Sequence, residues 1–267
     1  MFTIANIAQP ESLEEAYRIL TQRRNNVILG GCAFLRMGSM AIGTGIDLSK
    51  LNLQYIKNEA DCIEIGAMTP LRELETNLQL QQFYSGILPK AVANIIGVQF
   101  RNAATIGASV FSRYGFSDII TALAALDAHV ELYKGGQMPL VQFLNNPFEK
   151  DILSKVLIKL DDRTAAYQSL RKSASDYPVL TTAVSRSGDN WTVVVGARPN
   201  VAAVASNASR VLSESCVDNA VVECAAAEAA QELSFGSNMR GSAEYRRAMC
   251  RVLVKRAITE VLSCKSS

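Results

Sequence analysis

Beyond about residue 150 the chain changes character: ILSKVLIKL, YQSLRKS, VLTTAVSRS and WTVVVGAR read as successive strands, and long helical stretches come only after them. Ser187, Gly188, Asp189 and Asn190 supply a hairpin turn between the last two, so those strands pair antiparallel. Val217 to Leu233 is alanine-rich. Ser242 to Leu262 sets Tyr245, Met249, Val252, Leu253, Ala257 and Val261 on one face at helical spacing, which predicts a core stripe and not a cofactor box. Strands grouped before helices mark an α+β chain that closes on a small antiparallel sheet with a helical bundle, beginning between about residues 150 and 165.

The preceding part mixes the two element types. Ser12, with Glu15 three residues on, forms a capping box for a helix over Leu13 to Arg23. NNVILGG then gives a short buried strand, Val27 to Leu29, with two glycines for a sharp exit and a loop or short helix over Cys32 to Met40. Cys62 to Ile65 reads as a strand ending in GAMTP, and Pro70 opens a helix through Asn77. Pro89 opens another, Lys90 to Ile96, which Gly97 ends. Ser117 caps a helix from Asp118 to about Leu126, and His129 to Tyr133 alternates as a strand that Gly135 and Gly136 turn toward a partner.

Several functions are excluded by what the sequence lacks. The 27 basic and 25 acidic residues are spread without runs, so there is no electrostatic case for nucleic acid or an anionic membrane surface. The N-terminus shows no basic and apolar leader, and no stretch approaches the roughly 20 apolar residues of a membrane span, so a cytoplasmic protein is expected. Cys32, Cys62, Cys216, Cys224, Cys250 and Cys264 are scattered without metal-site or cluster spacing, and no metal ligands are assigned. His129 is the only histidine and no GxSxG is present, which leaves no nucleophile triad and no catalytic side chain to name.

Two segments remain as candidate ligand loops. In LGGCAFL, at 29–35, a strand runs into consecutive glycines, and backbone N–H groups can there approach a phosphate with no Cβ in the way. The same pattern serves an ordinary turn, and it is not the GxGxxG dinucleotide fingerprint. GVQFRNAATIGASVFSRYGFSD, at 97–118, is poor in core-forming side chains. It offers hydroxyls at Thr105, Ser109 and Ser112 and a carboxylate at Asp118 to an extended polar ligand. Asp118 reads equally as a helix cap, and Arg101 as half of an ion pair.

At these residues the chain resembles the FAD-binding medium subunit of molybdopterin dehydrogenases, the xanthine dehydrogenase and carbon monoxide dehydrogenase family. LGGCAFL stands where the family has an AGGTDL-like loop, IEIGAMTPLREL is similar to IGAxTTLxxL, QFRNAATIGASV to QxRNxATIGGN, and FSDIITALAALDAHVEL to the segment that follows it. DYPVLTTAV and SAEYRRAMCRVLVKRAI resemble the family's C-terminal domain. The motifs keep one order across almost the whole chain, and RNAATIG with SAEYRR is far more specific than either glycine loop.

The resemblance implies an FAD-binding domain over residues 1–160, with subdomains of about 1–55 and 56–160, and a C-terminal domain over 161–267. It implies FAD phosphate contacts from Leu29, Gly30, Gly31, Cys32 and Ala33, flanked by Ile28, Phe34 and Leu35. Flavin or ribityl contacts are implied at Ala104, Thr105, Gly107, Ala108, Ser109 and Asp118, with Phe100 and Ser112 beside them. Cys32 and Ala33 depart from the family's hydroxyl or amide and acidic pair, and Ala108 replaces a glycine, crowding one backbone approach by a methyl group. Gln168 and Ser169 fall where relatives carry a lysine, for which Arg171 and Lys172 are the available substitutes.

The expected role is therefore an electron-transfer subunit of a molybdenum hydroxylase. Electrons come from a partner [2Fe-2S] iron–sulfur subunit and leave through FAD to NAD or another acceptor, while substrate is oxidised on a large molybdopterin-binding subunit. The alternatives are a structural or assembly subunit of the same complex that has lost tight FAD binding, and a stand-alone flavin reductase.

Overall fold

The computed structural model describes residues 2–32, 35 and 38–264. In chain order the elements are β1 (Thr3–Ala8), α1 (Leu13–Gln22), β2 (Val27–Leu29), β3 (Ala41–Asp47), β4 (Ile56–Asn58), β5 (Cys62–Gly66), α2 (Leu71–Thr76), α3 (Leu78–Gln82) and α4 (Ile87–Ala93). Next come α5 (Gly97–Ala103), α6 (Ile106–Phe111), α7 (Asp118–Ala125), β6 (His129–Leu132), β7 (Gly136–Pro139), α8 (Leu140–Asn145), β8 (Leu153–Lys159) and β9 (Thr164–Leu170). The chain ends with β10 (Leu180–Ser187), β11 (Asn190–Gly196), β12 (Ala203–Val204), α9 (Ser206–Ser213), α10 (Asn219–Glu232) and α11 (Ala243–Ser263). Two compact units share the chain in alternation: Met1–Glu73, Val98–Ser112 and Ala128–Lys159 make the first, and Leu74–Gly97, Arg113–Asp127 and Leu160–Ser267 the second. Among the described residues no helix is long and apolar enough to cross a membrane.

In the first unit, β1 and β2 flank β3 in a parallel three-stranded sheet, with Thr3 opposite Ala41 and Val27 opposite Gly45. Parallel neighbours need a crossover, which α1 provides. The helix starts as its sequence predicts: the Ser12 hydroxyl accepts the Glu15 N–H at 3.1 Å. The Glu15 carboxylate reaches back to the Glu11 N–H at 3.0 Å, one residue earlier than a standard box. Ala16 and Leu20 of α1 bury against Ile46, Leu48, Leu53 and Ile152. The second sheet of this unit is antiparallel throughout, in the order β4-β5-β8-β6-β7. ILSKVLIKL therefore pairs as β8 with β5 and β6; alternation marked it as a strand but carried no signal of its partners.

In the second unit the antiparallel sheet β12-β11-β10-β9 has helices on both faces. Trp191, Val193 and Val195 of β11 join Leu180 and Val184 of β10 in a core closed by α9, α10 and α11. Ala225, Ala226, Ala229 and Ala230 make α10 small enough to sit close. On the other face α7 packs on β10 and β11, where the Thr121 and Thr181 hydroxyls pair at 2.9 Å. The mixed helices and strands, with an antiparallel sheet and helices in the C-terminal part, bear out the expected fold class.

Three expectations are corrected. The helix expected over Lys90 to Ile96 runs Ile87–Ala93, so Pro89 lies third in its first turn, where a missing N–H costs nothing. The segment 97–117, read as loop, carries α5 and α6. On α11 the buried stripe is Arg246, Cys250, Leu253, Val254, Ala257, Ile258 and Val261, while Tyr245 and Val252 are 46% and 37% exposed. That stripe includes Arg246, a fully buried guanidinium that a periodicity count assigns to the surface. It donates to the carbonyls of Val179 at 2.9 Å, Gly236 at 2.7 Å and Gly241 at 2.6 Å, and to Asn238 Oδ1 at 2.7 Å. Four of its five N–H groups meet acceptors, which is what makes its burial tolerable.

Cys250 lies in the same stripe, and burial pushes its thiol up to about 12, with Arg198 opposing and Glu232 adding to the rise. At pH 8 it should stay protonated and inert. Thiol counting on native protein should show the exposed Cys216 and Cys224 reacting promptly and Cys250 only after denaturant is added. Equal rates for the three would contradict this packing.

Candidate functional site

The site grows from the end of β2. Ile28 packs in the α1 core, and Leu29, on the opposite face of the strand, lies over Gly45, so both side chains are taken up before the loop begins. Gly31 has φ +81° and Cys32 φ +57°, a left-handed turn that glycine adopts freely and cysteine only under strain. The glycine pair is pressed onto the second loop. A Cβ on Gly31 would stand 2.0 Å from the Ala103 carbonyl oxygen, and one on Gly30 would stand 2.4 Å from the Ala108 methyl and 3.1 Å from Thr105 Oγ1. The methyl of Ala108, expected to crowd a ligand, thus fills space against Gly30.

The second loop rests in turn on the GAMTP turn after β5. Thr105 bridges Pro70, the Leu71 N–H donates to the Ala104 carbonyl, the Ile106 N–H to that of Thr69 and the Gly107 N–H to that of Ala67, each at 2.9 Å. Gly107 must be glycine here, because a Cβ would meet the Ala67 oxygen at 2.6 Å. Thr69 extends the support, its hydroxyl accepting the Tyr55 N–H at 3.0 Å and donating to the Tyr55 carbonyl at 2.9 Å. The GAMTP turn was legible as a strand end, but its part in the site was not.

The hydroxyls divide by what they have left to give. Ser109 donates to the Thr105 carbonyl at 2.8 Å and Ser112 to the Ala108 carbonyl at 2.7 Å, so each offers a ligand lone pairs and no proton. Thr105 accepts the Ala108 N–H at 3.3 Å and keeps its own proton. Ala104, Thr105 and Gly107 are buried, whereas Ala108, Ser109 and Phe100 are half-buried and Ser112 is exposed. The structure therefore brings Gly30, Gly31, Ala104, Thr105, Gly107 and Ala108 into one small-residue wall, with Ser109 and Ser112 on the helix leading away. Ala33 and Phe34 lie outside the described residues, and Leu35 is half-buried.

Asp118 belongs to the second unit. Ser117 caps α7, its hydroxyl accepting the Ile120 N–H at 3.4 Å, so Asp118 is the first helical residue and not the cap. Its Oδ1 accepts from Arg171 Nη2 and from the Tyr167 hydroxyl, and Arg171 Nη1 continues to the Asp176 carbonyl at 2.6 Å. Burial pushes the Asp118 carboxyl up from the usual carboxylate value, while the Arg171 charge and the two hydrogen bonds hold it back. Burial and the neighbouring carboxylate push the Tyr167 phenol well up. Of the residues near the missing lysine, Arg171 is thus committed to Asp118, and Gln168 donates to Glu260 at 2.7 Å. Sequence reading had no means of pairing positions 53 residues apart in this way.

Residues 2–159 match the family described as the FAD binding domain in molybdopterin dehydrogenase, and residues 165–261 match the CO dehydrogenase flavoprotein C-terminal domain. The glyceraldehyde dehydrogenase medium chain of Sulfolobus acidocaldarius is 24% identical over 270 residues, covering 94% of this chain and 96% of that one. The carbon monoxide dehydrogenase medium chain of Hydrogenophaga pseudoflava is 26% identical over 278 residues, covering 93% and 94%. A chain in a crystal structure of a Cu,Mo-CO dehydrogenase has the same fold, with a TM-score of 0.88 at 23% identity over 98% of both chains.

Two expected outcomes follow from this geometry. Gly30→Ala should cost about 1–3 kcal/mol by overpacking against the Ala108 methyl, and Gly30→Ala with Ala108→Gly should recover most of it. Denaturant titration of the three proteins checks this, and additive losses would contradict the contact. Arg171→Met should cost about 3–5 kcal/mol by leaving Asp118 buried without its cation, and Asp118→Asn in the same chain should return part of that. Thermal unfolding of the cycle reads the coupling.

Proposed function

This chain belongs to the FAD-binding family of molybdopterin dehydrogenases, and from that membership we propose that it is the flavin-carrying electron-transfer subunit of a cytoplasmic molybdenum hydroxylase. Its partners are a [2Fe-2S] iron–sulfur subunit, which delivers electrons, and a large molybdopterin-binding subunit, where substrate is oxidised. NAD or another acceptor takes the electrons away. The relatives named above as medium chains of dehydrogenases support this division of labour.

The observation that carries the reading is the glycine-only contact between Gly30–Gly31 and the Ala103–Ala108 segment inside the matched FAD-binding region. The residues present fit the cofactor. The contact itself is filled by protein, so a pyrophosphate would lie beside it on the backbone of the two loops, and Thr105 has a proton to donate to a phosphate oxygen. Ser109 and Ser112, with their own protons committed, suit the hydroxyl donors of a ribityl chain. Bound FAD supplies the chemistry, accepting electrons singly and passing on a pair. The protein's part is to hold the cofactor in place, so no side chain need act as acid or base.

Purification followed by a visible spectrum and a titration with FAD tests this directly. Flavin absorbance at one FAD per chain, slow NADH oxidation by the isolated chain, and copurification of iron and molybdenum with its partners are expected. A chain that stays colourless in excess FAD would point instead to an assembly subunit, in which the Ala108 methyl has closed the approach between the loops. Rapid NADH oxidation without partners would point to a stand-alone reductase.

A further inference from the structure

The strand that delivers Gly30 and Gly31 starts at a junction built with unusual care. Helix α1 ends at Gln22, and its last turn holds no basic residue to meet the negative end of the helix. Arg23 and Arg24 follow its end, and a further cation arrives from far along the chain. Lys150 Nζ donates to the carbonyls of Leu20 at 3.1 Å, Arg23 at 2.8 Å and Asn26 at 3.2 Å, which uses all three of its donors. Around it, buried Asn26 donates through Nδ2 to the Ile19 carbonyl at 2.7 Å and accepts the Thr44 N–H at 2.9 Å. Asn25 donates to the Ala41 carbonyl at 3.2 Å, and its own carbonyl takes the Gly43 N–H at 3.1 Å. Gly43 leaves room for this, since a Cβ there would stand 2.8 Å from both asparagine Oδ1 atoms.

We propose that Lys150 is a positioning residue for the cofactor loop: by tying the α1 carbonyls to that of Asn26, its ammonium fixes the entry of β2 and so the placement of Gly30 and Gly31. The inference rests on the reading of that loop as an FAD site. The reach is short, because only Val27, Ile28 and Leu29 separate Asn26 from Gly30, and β2 is held to β3 alone along its length. A tilt at Asn26 would move the glycines off the Ala103 and Ala108 surface, where there is no slack. Lys150 itself is pulled down from the usual lysine value by burial, with Arg24 adding to the effect, and three carbonyl oxygens are what a desolvated ammonium requires.

Lys150→Met in the full chain keeps the stem and removes the charge. Fluorescence titration with FAD should show affinity lowered about tenfold, the scale of one charged hydrogen bond. Lys150→Arg should restore most of it. Hydrogen exchange on the FAD-free proteins gives a second readout: amides of residues 25–32 should exchange faster in Lys150→Met, while those of β10 and β11 keep their wild-type rates. Unchanged exchange at 25–32, or loosening that extends to β10 and β11, would overturn the positioning role, as would wild-type FAD affinity in Lys150→Met. Should the wild-type chain bind no FAD, the flavin reading fails by itself, and the exchange contrast still decides whether Lys150 holds the loop. If Lys150→Met does not fold, the neutral Lys150→Gln takes its place in both measurements.

Discussion

The candidate face of the first unit depends on a backbone-to-backbone contact that leaves no room for a side chain. Gly31 meets the Ala103 carbonyl, Gly30 meets Ala108, and Gly107 meets the Ala67 carbonyl, so three successive segments are stacked at glycine distance. Close stacking removes the freedom each loop would otherwise have, and the cost of ordering a ligand site is met during folding instead of at binding. It also explains why the departure at Ala108 is compatible with the family's fold. The surface on offer is backbone, and Ala108 spends its methyl on a neighbouring glycine.

Much of this architecture was legible in the sequence because local chemistry specified it. Ser12 and Glu15 mark a helix start and Val27 to Leu29 with its glycines marks a strand and exit, each through interactions only a few residues long, whereas RNAATIG stood out only by its likeness to the family. What could not be read were pairings across long separations. No local pattern joins Lys150 to Leu20, Arg171 to Asp118, or Arg246 to Gly236 and Val179. The same blindness displaced the core stripe of α11, where an arginine occupies a position that counting reserves for apolar residues. Ser109 lies within α6 and Ser112 caps its end, and their donation to backbone carbonyls, which changes what they can offer, depends on rotamers that sequence does not specify.

Cations held by several acceptors recur as fasteners in both units. Lys150 and Arg246 are held by carbonyl oxygens, whereas Arg171 shares a carboxylate with a tyrosine. In each case a single residue gathers acceptors from segments that are apart in sequence. A charge left without its acceptors is far costlier than a methyl group left in a small void, so each hub penalises any arrangement that lacks its acceptors.

The alternation of the two units along the chain has a consequence for biosynthesis. Helices α4 and α7 belong with the second unit, yet they leave the ribosome before any strand of the sheet they cover, and α7 is buried along its whole length in the finished protein. A nascent chain that has completed β8 therefore carries an apolar helix without the sheet it packs against. Its safe passage depends on the last hundred residues emerging soon afterwards, or on a chaperone that shelters the helix until they do.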